Sequence, residues 1–214
     1  MKKRILSFAL VAAALFSSSD AEAQKTKSLF NGKDLSNWSF VVKDNAVAPE
    51  TVYSVKDGMI RISGQPFGYM HTKEKYSNYK LHVEWKWEGE ASNSGIFLMF
   101  ESLDNPFPCG IEAQLCNGKA GDFVLLNGSD LAQFESPKGQ ERPKFPVVNR
   151  RVKDAEKPTG EWNEANIYVK NGQITVYING HLQNQGTSKV KEGYIGLQSE
   201  GGPILFRNVT LSEF

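Results

Sequence analysis

Cysteine, histidine and net charge are all scarce in this chain. Of its 214 residues two are cysteine and three are histidine, and 25 cations stand against 24 anions. Two cysteines cannot build a paired CxxC zinc site. His71, His82 and His181 are scattered, each without an obvious second ligand, and read as surface or structural residues. The chain has no HExxH, no GxSxG and no glycine-rich phosphate loop. Those absences exclude the familiar zinc-protease, α/β-hydrolase and nucleotide-phosphate chemistries, so no nucleotide cofactor is expected. A divalent cation held by loop oxygens needs no fixed spacing and stays open. The near-zero charge gives no long-range pull toward nucleic acid or anionic membranes.

Long apolar runs are missing too. The longest is ILSFALVAAALF near the start, 12 residues and too short to span a bilayer. MKKR precedes it and Ala21-Glu22-Ala23 follows, so residues 1–23 read as a signal peptide. No cysteine follows the apolar run, which argues against a lipoprotein. The expectation is an exported protein, periplasmic or secreted, with no membrane insertion. Residues 24–214 then form a single domain, long enough for one sizeable core.

Helical periodicity is absent beyond a turn or two outside the leader. What is present is alternation. In YKLHVEWKW (79–87), Tyr79, Leu81, Val83, Trp85 and Trp87 share one face, and Lys80, His82, Glu84 and Lys86 the other. QITVYIN (173–179) alternates likewise, and GIFLMFE, YIGLQ and ILFRNVTL are further strand candidates. Asp57-Gly58 and Asn171-Gly172 suit two-residue hairpin turns whose central positions need positive φ. Many short strands with tight turns predict an all-β fold, a sandwich of two antiparallel sheets. The polar stretch 127–161, broken by Pro137, Pro143, Pro146 and Pro158, reads as a long loop, either a site rim or a solvated excursion.

GIEAQLC (110–116) poses the functional question. Ile111, Ala113 and Leu115 can face a core, which leaves Glu112 and Gln114 together on the other side. A strand here would hold the Cα atoms of Cys109 and Cys116 about 23 Å apart, too far for the disulfide that an exported protein invites. The strand is the favoured reading. Glu84 and Lys86 project from a second strand, and Gln198 and Glu200 share parity on a third. If these strands are neighbours, three carboxylates, two amides and one cation converge, a set suited to acid–base work on a polyhydroxylated ligand. The alternative is a hydrated face with ordinary cross-strand ion pairs.

SLFNGKDLSNW (28–38) resembles the opening of the 3-keto-disaccharide hydrolase family. LHVEWKW, SNSGIF (92–97), GIEAQL, GEWNEANIYVKNGQITVYING (160–180), YIGLQSEGGP and FRNVTL follow in the family's order. The resemblance implies a concanavalin A-like jelly roll of the lectin/glucanase type. It also implies cleavage of glycosides already oxidised to a ketone at C3, by C2-proton abstraction, elimination and hydration, which is net hydrolysis. A non-catalytic, lectin-like carbohydrate-binding module is the rival, because fold does not fix function.

Carried onto this chain, the resemblance makes Glu112 the expected base, Lys86 the cation for the enolate oxygen unless a metal serves, and Glu200 the acid. Gln114, Asn93, Ser94, Gln198, Tyr69 and Glu84 are the expected substrate-binding residues, with Tyr69 as a stacking surface for a pyranose. Three departures bear on activity. Met99 and Asn117 stand where many members have Arg and Asp, and Glu200-Gly201 where many have His-Gly. Arg207 matches the family and is expected in a buried structural ion pair.

Overall fold

A computed structural model describes residues 26–214, and the expected leader lies outside them. In chain order the strands are β1 (Thr26–Ser28), β2 (Trp38–Val42), β3 (Tyr53–Lys56), β4 (Met59–Ile62) and β5 (Gly68–Thr72). There follow β6 (Tyr79–Trp87), β7 (Gly95–Phe100), β8 (Ile111–Gln114), β9 (Phe123–Leu125) and β10 (Val147–Val148). The last five are β11 (Asn163–Lys170), β12 (Gln173–Ile178), β13 (His181–Thr187), β14 (Tyr194–Ser199) and β15 (Ile204–Glu213). They form two antiparallel sheets, as the alternation predicts. Sheet one runs β13-β12-β11-β6-β15-β4-β3, with β1 added along β15, and sheet two runs β10-β9-β8-β7-β14-β5-β2. Among the described residues no helix is long and apolar enough to cross a membrane.

The turns form where the sequence demands them. Asp57-Gly58 has φ of 51° and 73°, and Asn171-Gly172 has 51° and 79°. Asn179-Gly180, at 48° and 81°, makes a third such turn between β12 and β13. Positive φ at both central positions matches the right-handed twist of the flanking strands.

The core lies between the sheets. In β6 every odd position is buried and every even one half-buried. Trp85, Tyr79, Leu81 and Phe206 from sheet one meet Ile96, Ile111, Phe123 and Leu197 from sheet two. Sheet two departs from simple alternation, since β7 is buried at all six positions. Its outer face carries a second apolar layer of Tyr69, Phe97 and Phe100, with Phe107 packed against it. The chain at 101–109 covers this layer, so aromatic residues are called for on both faces.

One loop expectation changes. Residues 127–161 include β10 and bury Leu131 and Ala155, so the stretch is not merely a solvated excursion. Arg150 ties it down through an ion pair to Asp122 at 3.2 Å. Cys109 and Cys116 are both free, as the strand reading requires.

Candidate active site

Cross-strand register fixes which side chains meet. On β8, Glu112 stands between Phe97 of β7 and Val124 of β9, and Gln114 opposes Gly95. Ile111 and Ala113 enter the core, so Glu112 and Gln114 lie on the outer face of sheet two. On β14, Gln198 pairs with Tyr69 of β5, one step beyond the Leu197–Ile96 pair that joins β14 to β7. Glu200 follows directly. Glu112, Gln114, Gln198 and Glu200 therefore share the outer face of sheet two, while Glu84 and Lys86 do not join them.

Glu112 is the centre of this group. It is 2% exposed, and its Oε1 is buried without a hydrogen-bond partner. Its carboxyl fits because Gly95 has no side chain: a Cβ there would lie 2.2 Å from Glu112 Oε1. Desolvation, and then the charge of Glu200, raise its pKa well above the ordinary carboxylate value.

Glu200 has a different environment. It is half-buried, and desolvation raises its pKa, but amide donors from Asn93 and Gln198 work the other way. Gln198 Nε2 donates to Glu200 Oε2 at 2.7 Å. Two further acceptors, Gln198 Oε1 and Asn93 Oδ1, are buried and unpartnered beside it. Unpaired buried oxygens are costly unless a ligand or water supplies donors. Gln114 is partly committed, its Oε1 accepting from Leu115 N and Cys116 N at 3.1 Å each. Cys116 flanks the group. Burial pushes its thiol up, Lys119 opposes this, and Glu156, Glu112 and Glu200 add to it.

Four expected members are elsewhere or otherwise occupied. Lys86 and Glu84 project from β6 on the outer face of sheet one, with the whole core between them and Glu112. Lys86 Nζ lies 4.9 Å from the centre of the Trp162 ring. Glu84 is engaged by Arg207 Nε at 2.7 Å and Asn208 Nδ2 at 2.7 Å, and these bonds outweigh burial to hold its pKa below the usual value. Tyr69 is fully buried under the 101–109 segment and donates its hydroxyl to Asp104 O at 3.0 Å, so its ring offers no platform for a sugar. Ser94 is buried with its hydroxyl donating to Gln198 O at 2.9 Å, a strand-to-strand tie.

The departures resolve differently. Met99 lies in the core, where the Tyr79 hydroxyl approaches its sulfur at 4.0 Å, at a bulge in the β7–β14 register. Asn117 is exposed on the turn after β8. Arg207 does pair with Glu84, but its side chain is 41% exposed, so the pair is not buried. The bulge between Arg207 and Thr210 sends Val209 into the core and leaves Arg207 outside.

Sequence reasoning missed Gly95, whose importance lies in what it leaves room for, and Cys116 as a flanking group. Among the described residues no group of three or more His, Cys, Asp and Glu side chains is placed to hold a metal ion.

Known proteins agree with this architecture. A curated 3-keto-disaccharide hydrolase of Bacteroides thetaiotaomicron is 22% identical over 223 positions, covering 85% of this chain and 76% of that protein. A crystal structure from Parabacteroides distasonis, provisionally classed as a glycosyl hydrolase, superposes with a TM-score of 0.63 at 23% identity, over 89% of this chain and 100% of that one. The carbohydrate-binding module CBM66 of Bacillus subtilis superposes at 0.61 with 11% identity, over 83% and 96%. At such identities the superpositions establish the shared jelly-roll sandwich alone. The pattern defining one family runs through residues 25–212, nearly the whole chain, and on that match the protein belongs to the 3-keto-alpha-glucoside-1,2-lyase-like domain family.

Proposed function

We propose that the protein is an exported glycoside-cleaving enzyme that acts on 3-keto-glycosides at the Glu112–Glu200 pair. The observation that carries this reading is the difference between the two carboxyl environments. Glu112 is desolvated and has an unpartnered oxygen, whereas Glu200 is only half-buried and holds two amide donors. Environments that separate the pKa values of neighbouring carboxyls divide acid from base. Family membership and the hydrolase relative supply the substrate class.

The expected roles are then exchanged. Glu200, ionised and the more accessible, takes the C2 proton, which the C3 ketone acidifies. Glu112, kept neutral, donates a hydrogen bond to the C3 oxygen as negative charge collects there, the part expected of Lys86. The electron pair at C2 forms the C1–C2 double bond as the C1–O bond breaks. Glu200 returns its proton to the departing oxygen. Hydration runs in the opposite sense: Glu200 deprotonates a water that adds at C1, then protonates C2, releasing a 3-keto sugar.

Gln114 Nε2 and the orphan oxygens of Gln198 and Asn93 suit sugar hydroxyls. A glycan-binding module remains the rival class, but it would favour satisfied polar groups over a desolvated carboxyl.

The test is incubation with a panel of 3-keto-disaccharides in D2O, with and without chelator. Expected are release of a 3-keto sugar and deuterium at its C2, which direct displacement at C1 would not give. Glu200→Gln should lower kcat by about 10²–10⁴-fold. Glu112→Leu should cost about 10²–10³-fold, and Glu112→Gln less, because an amide still donates. No product from any substrate, or an active Glu200→Gln, would refute the proposal.

A further inference from the structure

The outer face of sheet one carries a feature that the reaction does not use. Register places Lys80, Tyr168, Thr175 and Gln185 in one row across β6, β11, β12 and β13. The next row brings His82, Asn166 and Tyr177 together. Tyr168 and Tyr177 meet edge to face, ring centres 5.9 Å apart at 81°, making an aromatic corner. Among the described residues Tyr168 is the one exposed aromatic standing on a strand, at 38%. Beside this corner lies a hollow of about 460 Å³ lined by Lys80, Asn166, Thr175 and Gln185 as well as the tyrosines. That size falls within the roughly 300–1,000 Å³ of small-ligand sites.

The polar groups are set in place before any ligand arrives. Asn166 Oδ1 accepts from His82 Nδ1 at 3.1 Å, which leaves its amide hydrogens toward Glu164 and the opening. Gln185 is held between Arg151 Nη2 at 3.1 Å and Thr175 Oγ1 at 3.4 Å. Tyrosine loses little entropy when a ligand packs on it, and rigid strands hold both rings. An aromatic surface ringed by amides and a hydroxyl suits a ligand with C–H faces and many hydroxyls. Lys80, its Nζ 5.5 Å from the Tyr168 ring centre, is the single charged residue of the lining, and every other lining group is neutral.

From this we infer that the outer face of sheet one is a second carbohydrate-binding site, for an uncharged oligosaccharide, on the opposite side of the sandwich from Glu112. It would hold a glycan chain while the other sheet acts on its own substrate, and it does not depend on the proposed reaction.

The test is affinity electrophoresis and calorimetry of the full chain with two soluble neutral glucans, dextran and hydroxyethylcellulose, and with an acidic polysaccharide, polygalacturonate. Binding to a neutral glucan is expected. Tyr168→Ala and Tyr177→Ala should each weaken it at least tenfold, with turnover of 3-keto-disaccharides unchanged. Gln185→Ala, at an exposed position, should weaken it severalfold and serves if either tyrosine variant misfolds. Glu200→Gln should bind like wild type, so failure of the catalytic proposal leaves this one testable. Binding to neither neutral glucan, binding to polygalacturonate only, or binding untouched by all three substitutions would overturn it.

Discussion

Gly95 shows how a residue without a side chain can make a site. A methyl added there would lie 2.2 Å from Glu112 Oε1. Gly95→Ala should therefore cost about 1–3 kcal/mol by overpacking, read as a lower denaturation midpoint, and should remove most turnover. Glu112 itself makes a signed prediction. Its folded-state pKa is raised, so the folded form keeps a proton that the unfolded chain releases. Stability from this group is complete below the unfolded value near 4.5 and is lost as pH rises toward the folded value. Glu112→Gln should erase that slope. Melting curves across pH should show the variant gaining on wild type at neutral and alkaline pH, with the gap closing in acid. Equal slopes in the two proteins would show that Glu112 titrates normally.

At the scale of the strand, β6 is the instructive case. Its alternation was legible in full, with Trp85 and Trp87 inside and Glu84 and Lys86 outside. A period of two states which face a residue takes but not which sheet the strand joins, because pairing partners are distant in sequence. Lys86 and Glu112 both point away from the core, in opposite directions. Lys86→Ala should therefore leave kcat within about twofold of wild type, and a loss beyond tenfold would contradict the placement. The hairpin turns were legible because Asp-Gly and Asn-Gly carry their own backbone requirement. Gly172 has φ of 79°, and a Cβ there would lie 2.6 Å from Ser188 O. Gly172→Ala should lower stability by more than 1 kcal/mol, measurable as a reduced melting temperature.

For the molecule as a whole, two sheets back to back give two outward faces, and the chain spends them differently. On sheet two, aromatic residues under 101–109 fill one part and leave the carboxyl pair at the other. That cover hides Tyr69, and nothing in the sequence near Tyr69 announces it, since residues 101–109 have no period to read. On sheet one the Glu84–Arg207–Asn208 network and the tyrosine corner remain at the surface. The positions of Glu112, Gln114, Gln198 and Glu200 were legible because apolar and polar residues alternate along their two stretches and the family blocks mark them; the burial of Glu112 was not, because burial of a carboxyl is a tertiary property. The pair as a unit predicts a bell-shaped kcat/KM profile. Its acid limb, set by Glu200, should lie above the ordinary carboxylate range, and ionisation of Glu112 should set the alkaline limb.

The proposed chemistry needs the two carboxyls to differ, Glu112 desolvated and holding its proton more tightly under the influence of the half-buried Glu200. Carbon-13 NMR of the glutamate side-chain carboxyls, with Glu112 assigned through Glu112→Gln, measures this directly across the pH range. Glu112 should stay protonated at neutral pH, and Glu200→Gln should bring its midpoint down. A Glu112 carboxyl already ionised near pH 4.5, and indifferent to Glu200, would contradict the account.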